Sequence, residues 1–168
     1  MTTIHSVAGG GGLNIHVREW GKQDAPSILF IHGWSQNHLC WSKQFDSDLA
    51  NDFRIVALDL RGHGMSDAPT EVDHYNQSRL WAEDIHSIIN ELGLVKPVLS
   101  GWSYGGLVIG DYVRIFGTDK LGALNFVGAA PALNENALGE LIGPGFYENF
   151  DACTNADLDI SIPAIAKF

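Results

Sequence analysis

Apolar and polar positions alternate over residues 3–7 and again over 13–19, with Gly9-Gly10-Gly11-Gly12 between them. Period-two alternation broken by glycines predicts a β-hairpin whose turn the glycines supply. Beyond it the pattern changes. Residues 27–32 (SILFIH) form a continuous apolar run, as expected of a strand buried on both faces. Trp41, Phe45 and Leu49 then recur at spacing four and predict a helix, and 53–60 (FRIVALDL) reads as the next strand.

The clearest helix is expected over 78–92, where Trp81, Ile85, Ile88, Ile89 and Leu92 make one stripe and Gly93 stands at the C-terminal cap position. A strand over 97–101, a helix over 104–116 and a strand over 121–130 (LGALNFVGAA) complete the alternation. Strand and helix in turn predict an α/β fold: a mostly parallel sheet with helices on both faces. Residues 1–131 are expected to form its core. The character shifts over 132–168, where Glu135, Glu140, Glu148, Asp151, Asp157 and Asp159 face a single Lys167, and Gly143-Pro144-Gly145 interrupts any long helix.

Composition narrows the function classes. The chain has 168 residues and a formal net charge of −10, with no Lys/Arg cluster, so nucleic acid is excluded as an expected partner. No apolar run approaches the roughly 18 residues that cross a bilayer, and the first residues lack a signal-peptide pattern. The expectation is a cytoplasmic protein without a membrane partner. Cys40 and Cys153 form no metal-ligand spacing and no disulfide framework, and Asn76-Gln77-Ser78 is a chance sequon in that setting.

The candidate chemistry lies in Gly101-Trp102-Ser103-Tyr104-Gly105-Gly106, between a predicted strand and a predicted helix. A serine at the apex of such a turn stands in a strained conformation, which requires small residues on either side. Gly101, Gly105 and Gly106 meet that demand. Alone, the motif is equally a glycine-rich turn carrying an incidental serine.

Two further motifs change that reading. His32-Gly33-Trp34 follows the third strand, and Asp59-Leu60-Arg61-Gly62-His63-Gly64-Met65-Ser66-Asp67 follows the fourth. With Ser103 at the end of the fifth strand, residues 13–135 resemble the α/β-hydrolase superfamily in unbroken order. The branch most similar is that of small esterases, lactonases and cofactor-free haloperoxidase-like enzymes. The resemblance implies Ser103 as nucleophile and the backbone N–H groups of Trp34 and Tyr104 as oxyanion donors, with His32 and Gly33 in the supporting loop. The substrate it implies is a small ester, lactone or similar acyl compound, with no cofactor and no metal. Haloalkane dehalogenases and epoxide hydrolases of this fold carry aspartate at the elbow, and the latter follow His-Gly-x with proline; here the residues are Ser103 and Ser35.

A serine nucleophile needs a base, and in this fold the chain order is serine, then acid, then histidine. His5, His16, His32, His38, His63, His74 and His86 all precede Ser103, and none follows it. His32 and His63 lie nearest by topology but fill turn positions. His86 flanks its helix stripe, and His5, His16, His38 and His74 show no constellation. Glu135 is the only carboxylate near the end of the sixth strand. The chain is therefore expected to be the amino-terminal part of the fold, with strands one to six present and the last strands missing. Residues 132–168 would open a lid, and the bare sixth-strand edge would self-associate or receive a carboxy-terminal half. The alternative is a non-catalytic remnant or small-molecule-binding protein that lacks the base histidine.

Overall fold

The computed structural model describes residues 2–133 and 143–167. Two compact units emerge, Met1–Ala132 and Leu133–Phe168.

The first unit is built on a six-stranded sheet: β1 (Thr3–Ala8), β2 (Asn14–Gly21), β3 (Ser27–Ile31), β4 (Arg54–Leu58), β5 (Val98–Trp102) and β6 (Ala123–Val127). Their spatial order is β1-β2-β4-β3-β5-β6. β1 and β2 form the predicted hairpin, in register from Thr3 opposite Glu19 to Ala8 opposite Asn14. β2 joins β4 antiparallel, while β4, β3, β5 and β6 run parallel. β6 is the outermost strand, carrying the exposed side chains of Leu124 and Val127.

Helices cover both faces, as the alternation predicts. α1 (Ser42–Phe45) and α2 (Leu49–Asp52) lie after β3; α3 (Ser78–Glu91) and α4 (Tyr104–Phe116) flank β5 in sequence. The central strand shows why it is apolar throughout. Leu29 and Ile31 enter the larger core with Ile85, Ile88, Ile109 and Tyr112, whereas Phe30 enters the smaller one with Trp41, Ile55 and Ala57. Each such side chain contributes roughly 1.5–3 kcal/mol by leaving water. α3 ends as expected: Leu94 N–H donates to Ile89 and Gly93 N–H to Asn90, with Gly93 at φ 60°.

Two expectations need correction. The helix predicted from Trp41, Phe45 and Leu49 is broken into a 3-10 turn (His38–Trp41), α1 and α2. The Ser47 hydroxyl donates to the Gln44 carbonyl and accepts from Leu49 N–H, so a side chain competes with the helical ladder there. The three apolar residues still pack on one core, which is why their spacing is four. The second correction concerns the glycine run. Gly10–Gly12 does turn the chain, but a Cβ on Gly10 would stand 2.5 Å from the Leu80 carbonyl oxygen, and one on Gly9 would meet Asp84. Close approach to α3 requires glycine there as much as the turn does.

That approach is organised by Arg61, which is fully buried. Its guanidinium grips both carboxylate oxygens of Asp84 at 2.7–2.8 Å and donates to the carbonyls of Gly10, His74 and Leu80. Gly10 N–H donates to Asp84 in turn.

In the second unit the described residues form α5 (Pro144–Cys153) and α6 (Leu158–Ile165). Pro144 stands in the first turn of α5, where its missing N–H costs nothing. No helix among the described residues is long and apolar enough to cross a membrane.

Candidate active site

β4, β3 and β5 are adjacent and parallel, so the segments after them emerge on one edge of the sheet. These are the three segments singled out in the sequence: 32–36, 59–67 and 101–106. In open α/β sheets this carboxyl edge is where ligands bind.

Ser103 joins β5 to α4 with φ 51° and ψ −119°, one of three non-glycine residues at positive φ among the described residues. Such strain persists only where the surroundings impose it. Here they do. Ser103 N–H donates to the Val127 carbonyl, and a Cβ on Gly101 would stand 2.7 Å from the Gly105 backbone. A Cβ on Gly105 would reach 2.4 Å from the Ile31 carbonyl oxygen, and one on Gly106 would reach 2.6 Å from Ala129. The turn thus has no room for side chains on either flank, and it lifts Ser103 into solvent. Among the described residues its hydroxyl has no hydrogen-bond partner. Tyr104 is the first residue of α4, so its N–H has no intrahelical acceptor.

Gly33 brings the first loop against this elbow. A Cβ there would stand 3.0 Å from the Trp102 ring and 3.1 Å from the Cβ of Ser103. The next peptide is held by His32. Its Nδ1 donates to the Gly33 carbonyl at 2.7 Å, while its Nε2 accepts from Leu60 N–H at 2.9 Å. The bond is trans, so fixing the Gly33 carbonyl turns the Trp34 N–H the opposite way. Burial pushes the His32 imidazole down to about 4, only partly opposed by the Gly33 carbonyl, so the ring stays neutral. His63 performs a parallel task. Its Nδ1 donates to the Arg61 carbonyl and its Nε2 accepts from Ser35 N–H, where Ser35 has φ 57°. Both rings therefore have both nitrogens engaged, and neither offers a lone pair to the Ser103 hydroxyl.

The 59–67 loop is fastened to β2. Ser66 Oγ donates to the Asp59 carbonyl and accepts from His16 N–H, and Asp67 accepts from Asn14 N–H. Asp59 is fully buried and receives the His38 N–H, the His38 ring and the Met65 N–H. Burial alone would raise its carboxyl, but these donors hold it below the usual carboxylate range.

The structure corrects the expectation that His5, His16 and His38 stand without constellations; of the four so read, only His74 shows none among the described residues. His38 Nδ1 is 2.7 Å from Asp59 Oδ1, and the His16 ring lies 5.4 Å from that of His38. His5 pairs with Glu19, which also receives Arg54 Nε. His86 stacks on Phe116 at 4.0 Å rather than merely flanking α3. His38 and Asp59 are 21 residues apart, and no local periodicity marks them. The His5–Glu19 pair was readable in principle from the hairpin register. Glu135 lies outside the described residues.

A cleft of about 480 Å³ opens elsewhere, near Ser27 and Arg54 at the amino ends of β3 and β4. It belongs to the edge of the sheet opposite the elbow.

A family model described as alpha/beta hydrolase fold matches residues 26–158. A bifunctional esterase/perhydrolase of Acinetobacter calcoaceticus is 34% identical over 125 residues, 73% of this chain and 43% of that protein. Epoxide hydrolase 4 of Mus musculus is 38% identical over 97 residues, 58% of this chain and 26% of that protein. The crystal structure of the esterase RhEst1 from a Rhodococcus species superposes with a TM-score of 0.88 at 34% identity, covering 96% of this chain and 58% of that one. The chain thus spans less than half the length of these two curated relatives.

Proposed function

The chain belongs to the α/β-hydrolase fold family, and from that premise we propose that it serves a serine hydrolase acting on an ester, lactone or similar small acyl substrate. The observation that carries the proposal is Ser103 itself. It is an exposed serine at positive φ, on a strand-to-helix elbow walled by glycines and facing the His32-Gly33-Trp34 loop. In this reading its hydroxyl oxygen attacks the acyl carbon. The Trp34 and Tyr104 N–H groups receive the developing oxyanion; its collapse breaks the bond to the alcohol oxygen, which departs with the proton taken from Ser103, and water then cleaves the acyl-serine ester to release the acid and restore the hydroxyl. His32 and His63 act on the loop rather than on the substrate: one fixes the Gly33–Trp34 peptide, the other the Ser35 amide.

Because both rings are fully engaged, neither takes the proton of Ser103, and this reading requires another base. The same observation favours a second reading, a small-molecule-binding protein that keeps the elbow and its loops without the base. A fluorophosphonate probe, applied to the complete protein, tests the two. Covalent labelling that Ser103→Ala abolishes supports the hydrolase; labelling that survives the substitution sinks the assignment. No labelling at all, with reversible binding of esters retained, supports the binding protein.

A further inference from the structure

We propose that His16, His38 and Asp59 form a binding site for a divalent transition ion of the zinc type, separate from the Ser103 elbow. One nitrogen from each imidazole and one carboxylate oxygen lie within 4.8 Å of one another.

His38 is the centre of the argument. It is 5% exposed, and its Nδ1 is committed to Asp59, yet its Nε2 is buried with no hydrogen-bond partner among the described residues. A buried ring nitrogen without a partner costs free energy, of order 1–3 kcal/mol. A cation removes that cost, because the neutral Nδ1–H tautomer selected by the carboxylate presents a lone pair at Nε2. A carboxylate behind a histidine is the arrangement that orients imidazole toward metals. His16 supplies the second nitrogen, its ring centroid 5.4 Å from that of His38.

Asp59 serves as charge and orienter, since its oxygens already receive three donors. Two imidazoles and a nearby carboxylate suit zinc, nickel or copper rather than magnesium or calcium. Metal–nitrogen bonds of about 2.0–2.1 Å place two ligands at most about 4.2 Å apart. The 4.8 Å spread of the three ligand atoms exceeds that, so binding would require half-buried His16 to turn toward His38, with water completing the shell. An ion held there would tether the segment after β3, through His38, to β2.

The test uses zinc alone. Zinc is titrated into the protein while the imidazole nitrogens are followed by NMR, and affinity is measured by calorimetry. The expected result is one equivalent of zinc moving the His16 and His38 signals together. His16→Gln, a substitution at a half-buried ring whose backbone bonds are untouched, should weaken binding at least tenfold while circular dichroism stays unchanged. His38→Gln should abolish binding, but it alters a buried pair. The wild-type titration and His16→Gln therefore decide the matter without it. Zinc that moves other histidines and leaves these two fixed overturns the proposal, as does undiminished affinity in His16→Gln or no binding at all.

Discussion

Gly33 and Ser103 are apposed so closely that a Cβ on the glycine would stand 3.1 Å from the Cβ of the serine. The loop after the central strand and the turn after its neighbour thereby fix one another. A second contact repeats the relationship from the other side, where Gly105 sits beneath the carbonyls of Ile31 and His32.

The two glycines should respond differently to alanine. At Gly105 the new methyl meets backbone at 2.4 Å, and overpacking should cost on the order of 1–3 kcal/mol despite the better helix propensity of alanine. At Gly33 the neighbours need yield only a few tenths of an ångström, so stability should fall by less than about 1 kcal/mol. Urea unfolding of both variants checks this. Equal losses would show that the elbow is not packed as described.

His32 makes stability depend on pH. Its imidazole titrates near 4 in the folded protein and near 6.5 when unfolded, so between those values the unfolded chain binds the extra proton. Stability is full above about pH 6.5 and declines as the pH falls toward 4, by on the order of 3 kcal/mol from this residue. His16 and His86, also lowered by burial, act in the same direction. Unfolding free energies at pH 7.0 and 4.5 should diverge accordingly, and the gap should narrow in His32→Gln. A wild-type protein equally stable at both values would contradict the buried neutral ring.

Asp84→Asn should strand the buried Arg61 guanidinium and cost about 3–5 kcal/mol. Glu83→Gln, which breaks only the exposed pair with Arg79, should cost no more than about 0.5 kcal/mol. The comparison is like for like, because both changes lie on α3 and replace a carboxylate by its amide. Chemical denaturation resolves the difference easily.

Catalysis by these 168 residues should be close to background. In a serine protease, loss of the histidine alone lowers turnover on the order of a millionfold, leaving roughly a thousandfold over water. Hydrolysis of p-nitrophenyl acetate by the chain and by Ser103→Ala should therefore be nearly equal. Ser103-dependent turnover in the ordinary range of about 1–1000 per second would mean that a base lies within the chain. His32 and His63, whose loops leave the same edge of the sheet as Ser103, would then be the first residues to replace.

What was legible in the sequence was whatever repeats locally. β3 follows from a continuous apolar run, α3 from its apolar stripe, and the elbow from glycines at fixed offsets around Ser103. The break between α1 and α2 was written in Asp46-Ser47-Asp48, but spacing four at Trp41, Phe45 and Leu49 masked it. Those residues share a face because a sheet lies beneath them, not because one helix carries them. The glycine run concealed a packing demand behind a turn signal. The pairs His38–Asp59 and Arg61–Asp84 join segments 21 and 23 residues apart, where no local pattern can announce a contact.

The grip of Arg61 has a kinetic consequence. Gly10 and Asp84 are 74 residues apart, and their bond forms only after the hairpin, the fourth strand and α3 have all been brought together. Closing so long a loop has its entropic cost before any contact compensates it, which places hairpin docking late in folding. The reverse also follows. The Gly10 amide can exchange with solvent only when Asp84 lets go, so the hairpin turn and the first half of α3 open together. They form a single foldon drawn from segments 74 residues apart in the first unit.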